Sequence, residues 1–311
     1  VKIYINDPSE GWIVDRFRNE WYAHNNNIST KNKYDADIFW MIANWKWREI
    51  PLDILTNKTV ACTIHHIAMQ KFNQEQYDEF MARDRYVDFY HVPCENTKNQ
   101  ISQFTNKPIY SIPFWVNTSN WYDIPEREQL RKEFKIDSDK MIIGSFQRDT
   151  EGQSIKNETY LPKLEKGPDL FCDIVENYNT YFDNVEVLLA GYRRQYVMNR
   201  LNLAGIKYHY FEKPDIQTVN KLYNCLDLYV VSARYEGGPQ AILECSTNKT
   251  PIISTAVGVA PEILSNESIF NIGEELEVSP NIEFAHNKVK DLWMPLGFDK
   301  FIEMFREESN V

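Results

Sequence analysis

Residues 228–262, reading LYVVSARYEGGPQAILECSTNKTPIISTAVGVAPE, hold the group of side chains best suited to chemistry. An apolar run ends in Ser232, a loop carries Glu236, Gly237 and Gly238, and Pro239 opens a helical pattern containing Gln240 and Glu244. Proline suits a first helical turn, where its missing N–H has no intrahelical partner to lose. The glycines let backbone approach a ligand closely, and the free N–H groups of a helix start favour negative charge. Such a loop suits a phosphate with a sugar attached. A carboxylate at Glu236 can accept hydrogen bonds from sugar hydroxyls, and one a turn and a half into the helix, Glu244, can reach a ribose diol. Neither role needs a metal. A strand, glycine-rich turn and helix also occur in every doubly wound protein, so this stretch alone leaves a solvated-helix reading of Glu244 open.

The elements that must position these residues follow from periodicity. Short apolar runs alternate with longer amphipathic ones along the whole chain, the pattern of βα units and parallel sheets. A first series places strands at 2–5, 38–42, 59–64, 87–92 and 109–112, with helical spacing at 11–25, 74–83 and 96–104. A second places strands at 141–146, 185–190, 207–211, 228–232, 251–254 and 268–272, and helices at 168–178, 195–203, 216–225 and 239–247. The 311 residues exceed the usual size of one core, so two doubly wound α/β domains are expected, 1–120 and 121–290. The boundary falls in a polar segment at 121–125, before a charged helix at 127–134. In the terminal segment, 291–311, a last helix at 299–307 puts Phe301, Ile302 and Phe305 on one side and is expected to return toward the first domain.

Composition narrows the partners. The chain is 43% hydrophobic and 25% charged, which suits a folded protein rather than a disordered one. Its net charge of −11, concentrated in the second half and without a dense basic run, argues against nucleic acid. No apolar stretch reaches the roughly 18 residues of a membrane span, and no polybasic amphipathic helix is evident, so any membrane association is expected to be weak. The five cysteines are odd in number and lack metal or redox spacing, which predicts buried free thiols in a reducing compartment. The start, VKIYIND, reads as a strand, and a cytoplasmic location is expected.

Asp227, Ser232, Glu236, Gly237, Pro239, Glu244, Pro251, Gly258, Pro261 and Glu262 together resemble the E-x7-E signature of the retaining glycosyltransferases of family 4, which have the GT-B fold of two Rossmann-like domains facing across a cleft. The resemblance extends to 142–145 with Arg148, followed by Lys166 and Gly167, which look like the first donor-domain strand and its basic pair. It implies that Arg148 and Lys166 neutralise the donor diphosphate, electrostatic work done elsewhere by a metal. Lys156 and Lys163 are weaker candidates for the same work. Residues 187–191, ending in Gly191, resemble the strand and glycine before the nucleotide pocket, with Arg193 or Arg194 within reach of phosphate. Leu222 and Tyr223 match a segment that is mostly packing.

The first half matches less tightly. Residues 61–65 resemble a strand ending in a histidine that faces the donor sugar, here His65, with His66 beside it. Residues 112–117 resemble the segment before the linker, with Phe114 and Trp115 making a polar hinge aromatic. The glycine-rich loop after the first strand is reduced to 9–12, where Gly11 is the best match. Further along, Val259 stands for a glycine, and Lys249 and Thr250 replace the one before Pro251. Asp35 and Asp37 form a DxD, but ahead of a strand, where a metal role is not expected. Among the aromatic residues, Trp45 and Trp47 lie in a loop-like segment suited to stacking on a sugar.

The resemblance therefore implies a metal-independent, hexosyltransferase-like enzyme that moves a sugar, with retention, from a nucleotide-diphosphate sugar to a glycan, lipid-linked or other small acceptor. Glu236 would hold the donor sugar, Glu244 the ribose, and the amides of Gly238 to Gln240 the sugar hydroxyls. His65 would orient the sugar. An epimerase or hydrolase of the same fold, or a nucleotide-sugar-binding protein without turnover, remain the rival readings.

Overall fold

The computed structural model describes residues 1–11, 13–152 and 160–309. It divides into two compact units, Val1–Trp115 with Met294–Val311, and Val116–Trp293.

The first unit is a parallel sheet in the order β1-β2-β3-β4-β5, formed by β1 (Ile3–Ile5), β2 (Ile38–Met41), β3 (Thr59–Thr63), β4 (Phe89–Val92) and β5 (Ile109–Ser111). Its helices include α1 (Ile13–His24), α2 (Leu52–Asn57), α3 (Gln74–Asp84) and α4 (Glu95–Ile101). The path between β1 and β2 is indirect. After α1 the chain crosses to the outer side of β1, where Ser29 makes one parallel bridge to Ile3, and only then returns to lay β2 on the other side. The path of the chain across the sheet thus changes side between β1 and β2, while all five strands stay parallel.

Alternate residues of each strand point to opposite faces, and the two faces are filled differently. Ile3, Ile5, Ile38, Trp40, Ala61 and Phe89 pack under α1, whereas Phe39, Met41, Val60, Cys62, Tyr90 and Val92 pack with residues of α2, α3 and α4. The first face is dominated by aromatic rings, and each buried indole N–H has an acceptor: Trp21 to Ser29 Oγ at 2.9 Å, Trp40 to Thr63 Oγ1 at 2.8 Å, and Trp115 to Glu20 Oε2 at 2.9 Å. Without those acceptors, burial of the polar end would cost free energy. Phe114 and Trp115 lie inside this core, with Phe114 stacked on Phe17 at 4.1 Å, so the expected aromatic hinge is core packing.

The second unit has the order β10-β9-β6-β7-β8, all parallel, from β6 (Met141–Ser145), β7 (Val185–Ala190), β8 (Tyr208–Phe211), β9 (Leu228–Val231) and β10 (Ile252–Ser254). Helices α5 (Arg127–Glu133), α6 (Pro168–Phe182), α7 (Gln195–Ala204), α8 (Ile216–Asn224), α9 (Gln240–Asn248), α10 (Ala260–Ile263) and α11 (Ile282–Val289) accompany it. The chain moves outward from β6 to β8, then jumps back to place β9 on the other side of β6. The strand expected at 268–272 is reduced to one bridge from Ser254 to Ile269. Residues 266–268 instead form a 3₁₀ turn, in which the Ser268 amide donates to the Ser265 carbonyl and the Ile269 amide to the Asn266 carbonyl, and the Ser268 hydroxyl ties the turn to Ser279 and Asn281.

The last helix, α12 (Asp299–Glu307), sends Phe301, Met304 and Phe305 into the aromatic core of the first unit. All five cysteines are buried and free.

Candidate functional site

In a parallel sheet every strand delivers its following loop to the same edge, and ligands favour the crevice where strand order reverses. In the second unit that reversal lies between β6 and β9. The loop after β9 carries Glu236, and the turn that opens α6 carries Lys166. The Lys166 Nζ donates to Glu236 Oε1, and the two side chains are only 21% and 15% exposed.

The pair is assembled by contacts around it. Arg234 grips Asp169 with two hydrogen bonds of 2.7 Å and also donates to the Leu164 carbonyl. The backbone amides of Arg234 and Tyr235 both donate to the Glu165 carbonyl. Ser232 Oγ donates to the Gly167 carbonyl at 2.7 Å, and Gln147 to the carbonyl of Lys166 at 2.8 Å. Three separate loops are thereby locked with Lys166 pointing at Glu236.

Glycine makes this closeness possible. Gly167 has φ +62°, and a Cβ there would lie 1.8 Å from the Ser232 carbonyl oxygen. Gly258 has φ +52°, and a Cβ would meet the Gly237 carbonyl oxygen at 2.2 Å. No side chain fits either place, and a left-handed φ is itself unfavourable for other residues.

Burial pushes the Lys166 ammonium down to about 8, with Lys163 adding repulsion and Glu165 opposing. It stays mostly charged at neutral pH. Glu244, buried within α9, accepts a 2.9 Å hydrogen bond from the Tyr223 hydroxyl. The Tyr223 ring packs on Phe146 and Tyr229, so it orients the carboxylate from behind. In a segment expected to be mostly packing, Tyr223 thus also serves a carboxylate.

The remaining basic candidates divide. Among the described residues, Arg148 donates to the carbonyls of Thr150 and Gly152 and not to Lys166 or Glu236. Arg194 is fully buried and spent on Asp149, Ser145 and Ala190, which removes it as a phosphate ligand and makes it a clamp between the ends of β6 and β7. Arg193 is different. It is buried at φ +62°, its Nη2 reaches the Glu151 carbonyl, and its Nε and Nη1 have no hydrogen-bond partner among the described residues. A buried guanidinium so placed is stabilised by an anion. Gly191 sits just before it at φ +97°, close against the Phe146 carbonyl. Lys163 pairs with Glu165 at 3.3 Å, and Lys156 lies outside the described residues.

In the first unit, His65 follows β3. Its Nε2 donates to the Ile42 carbonyl at 2.8 Å and its ring stacks on Phe114 at 5.7 Å. Burial lowers its pKa, so the ring is neutral with Nδ1 as an acceptor. Gly11 has φ +69°, the left-handed backbone its turn requires, and no protein atom lies within 4 Å of where a Cβ would stand. Asp35 and Asp37 are used by Asn32 and the Lys2 amide. Among the described residues no group of three or more His, Cys, Asp or Glu is arranged to hold a metal, and no helix is long and apolar enough to cross a membrane.

Residues 159–283 match the family model described as Glycosyl transferases group 1. No curated protein matches the chain by sequence. Among solved structures, the Anabaena protein HepE in complex with UDP-glucose superposes with a TM-score of 0.76 at 10% identity, covering 98% of this chain and 99% of that one. Sucrose-phosphate synthase from Thermosynechococcus elongatus gives 0.69 at 13% identity over 94% of this chain and 76% of that one. A glycosyltransferase from Rickettsia africae gives 0.63 at 16% over 97% and 83%. At these identities the likeness shows the fold, which is GT-B. The chain thus has the GT-B fold, and its residues 159–283 match the model of the glycosyl transferases group 1, in keeping with the resemblance read from the E-x7-E stretch.

Proposed function

We propose that the protein is a retaining, metal-independent glycosyltransferase that uses a UDP-sugar, tested first with UDP-glucose, and passes the sugar to an acceptor hydroxyl. The single observation that carries the reading is the Lys166–Glu236 contact at the β6/β9 reversal, inside the segment that matches the family. A cation and a carboxylate held together there suit the two ends of a sugar diphosphate.

Lys166, with Arg148 once drawn from its own turn, neutralises the diphosphate as it departs. Arg193 offers its Nε and Nη1, which have no partner among the described residues, to the same anion. Glu236 accepts from donor sugar hydroxyls, the amides of Gly238 to Gln240 donate to them, and Glu244 holds the ribose in the orientation that Tyr223 imposes. His65 presents Nδ1 to a sugar hydroxyl. The departing phosphate takes the acceptor proton on the face it leaves, which fits the lack of a dedicated general base in the motif. The reaction is cytoplasmic on this reading.

Calorimetric titration with UDP-glucose and other nucleotide sugars, followed by NMR of the product anomer, tests the proposal. Lys166→Ala and Glu236→Ala, each shown to be folded, should lower kcat/KM on the order of 10²-fold or more. Full activity in either variant would remove the assignment. Formation of free or epimerised sugar without acceptor glycosylation would favour the hydrolase or epimerase reading.

A further inference from the structure

The first unit has a reversal of its own, between β1 and β2, and one exposed aromatic ring stands over it. Trp45, just after β2, is 45% exposed although it is not loose. Its indole N–H donates to Glu10 Oε1 at 2.9 Å, across the gap from the loop after β1. Its ring lies 5.8 Å from that of His65. The Glu10 loop is itself held, because the Asp15 carboxylate accepts from the amides of Ser9 and Glu10, each at 3.1 Å. Beneath it Asn6 exchanges two hydrogen bonds with the backbone of Ala43, tying the ends of β1 and β2 together. Trp47, the other ring singled out in the sequence, is buried and bonded to Glu79, so it offers no face.

We infer that Trp45 and Glu10 form the subsite for the acceptor, and that the acceptor presents an uncharged pyranose ring. A fixed, half-open indole face complements the C–H face of a sugar ring. The Glu10 oxygen not used by the indole accepts from hydroxyls at the ring's edge. A neighbourhood carrying Asp7, Glu10 and Asp15, with Arg18 already engaged by Asp7, disfavours a phosphate or an anionic headgroup at this point. An exposed tryptophan alone carries no meaning. One aligned by a carboxylate at a strand-order reversal, beside a neutral histidine, is a binding surface. The assignment of this surface to the acceptor rests on the transferase reading above.

Saturation-transfer NMR with methyl α-glucopyranoside and methyl α-mannopyranoside, and with glycerol phosphate as the anionic comparison, tests the surface without turnover. The wild-type protein should bind a pyranoside and not glycerol phosphate, and Trp45→Ala should lose that binding while Trp45→Phe keeps most of it. In transfer assays Trp45→Ala should raise the acceptor KM about tenfold, a larger factor than any change in the donor KM. Glu10→Gln should raise the acceptor KM by less. Absence of pyranoside binding, equal binding by Trp45→Ala, or an unaltered acceptor KM overturns the inference. Failure of the wild-type protein to bind any nucleotide sugar instead overturns the proposed function, and the two outcomes are read from different titrations.

Discussion

The two sheets solve the same topological problem with different materials. In the second unit the reversal between β6 and β9 is closed by backbone: Gly167 against Ser232, Gly258 against Gly237, and the Arg234–Asp169 fork beside them. In the first unit the reversal between β1 and β2 is closed by side chains, Asn6 on Ala43 and Glu10 on Trp45. Glycine contacts and buried ions suit a group whose shape and charge never vary, such as a diphosphate. An indole face and an exposed carboxylate suit a partner whose hydroxyl pattern can differ from one protein to another. The contrast teaches that the edge with little conformational choice is the one that a sequence motif can record.

The sharpest way to break this comparison is to add a methyl group to each edge. Gly167→Ala forces a left-handed φ and a backbone clash together, and should destabilise the second unit by about 3 kcal/mol or more and abolish donor binding. Gly11→Ala meets open space and bears only the conformational cost, about 1 kcal/mol. Urea titrations of both variants measure the difference; equal losses would mean that the close approach at Gly167 does not matter.

A smaller change should come from the ion pair that aims the loop. Arg234→Lys keeps the charge but loses the two-pronged contact with Asp169, and should weaken UDP-glucose binding about tenfold and cost about 1–2 kcal/mol of stability. Wild-type donor affinity in that variant would show that the glycines alone position Lys166.

The mildest test is pH. The donor diphosphate favours the charged lysine, so affinity should be flat below the free-protein value near 8 and decline above it, by about fivefold from pH 8 to pH 9. Lys166→Ala should abolish that slope. His91 takes no part, because burial holds it down to about 3 and its ring is committed to Thr63 and the Ile112 carbonyl.

Much of the second unit was legible from residue order. The helix at α9, the glycines around it and the Lys166 turn are local features, each fixed by a few neighbouring residues and by a backbone conformation that few side chains tolerate. The strand expected at 268–272 is cut short because residues 266–268 form a 3₁₀ turn that takes the Ser268 and Ile269 amides for the Ser265 and Asn266 carbonyls. Arg193 and Arg194 are adjacent and chemically identical, and nothing in their order says which is structural. Only the fold puts Asp149 beside Arg194 and leaves two nitrogens of Arg193 without a partner among the described residues.

By itself the sequence determined the alternation of strands and helices, the loop and helix with Glu236 and Glu244, and the glycines that loop requires. The tertiary structure decided which distant residues meet: Arg234 with Asp169 and Tyr223 behind Glu244 in the second unit, and Glu10 under the edge of Trp45 in the first. The reason is physical. Periodicity and turn chemistry act over a few residues, whereas these partners are separated by 65, 21 and 35 positions and meet only because strand order brings their loops, or in the case of Tyr223 and Glu244 the helices α8 and α9, together.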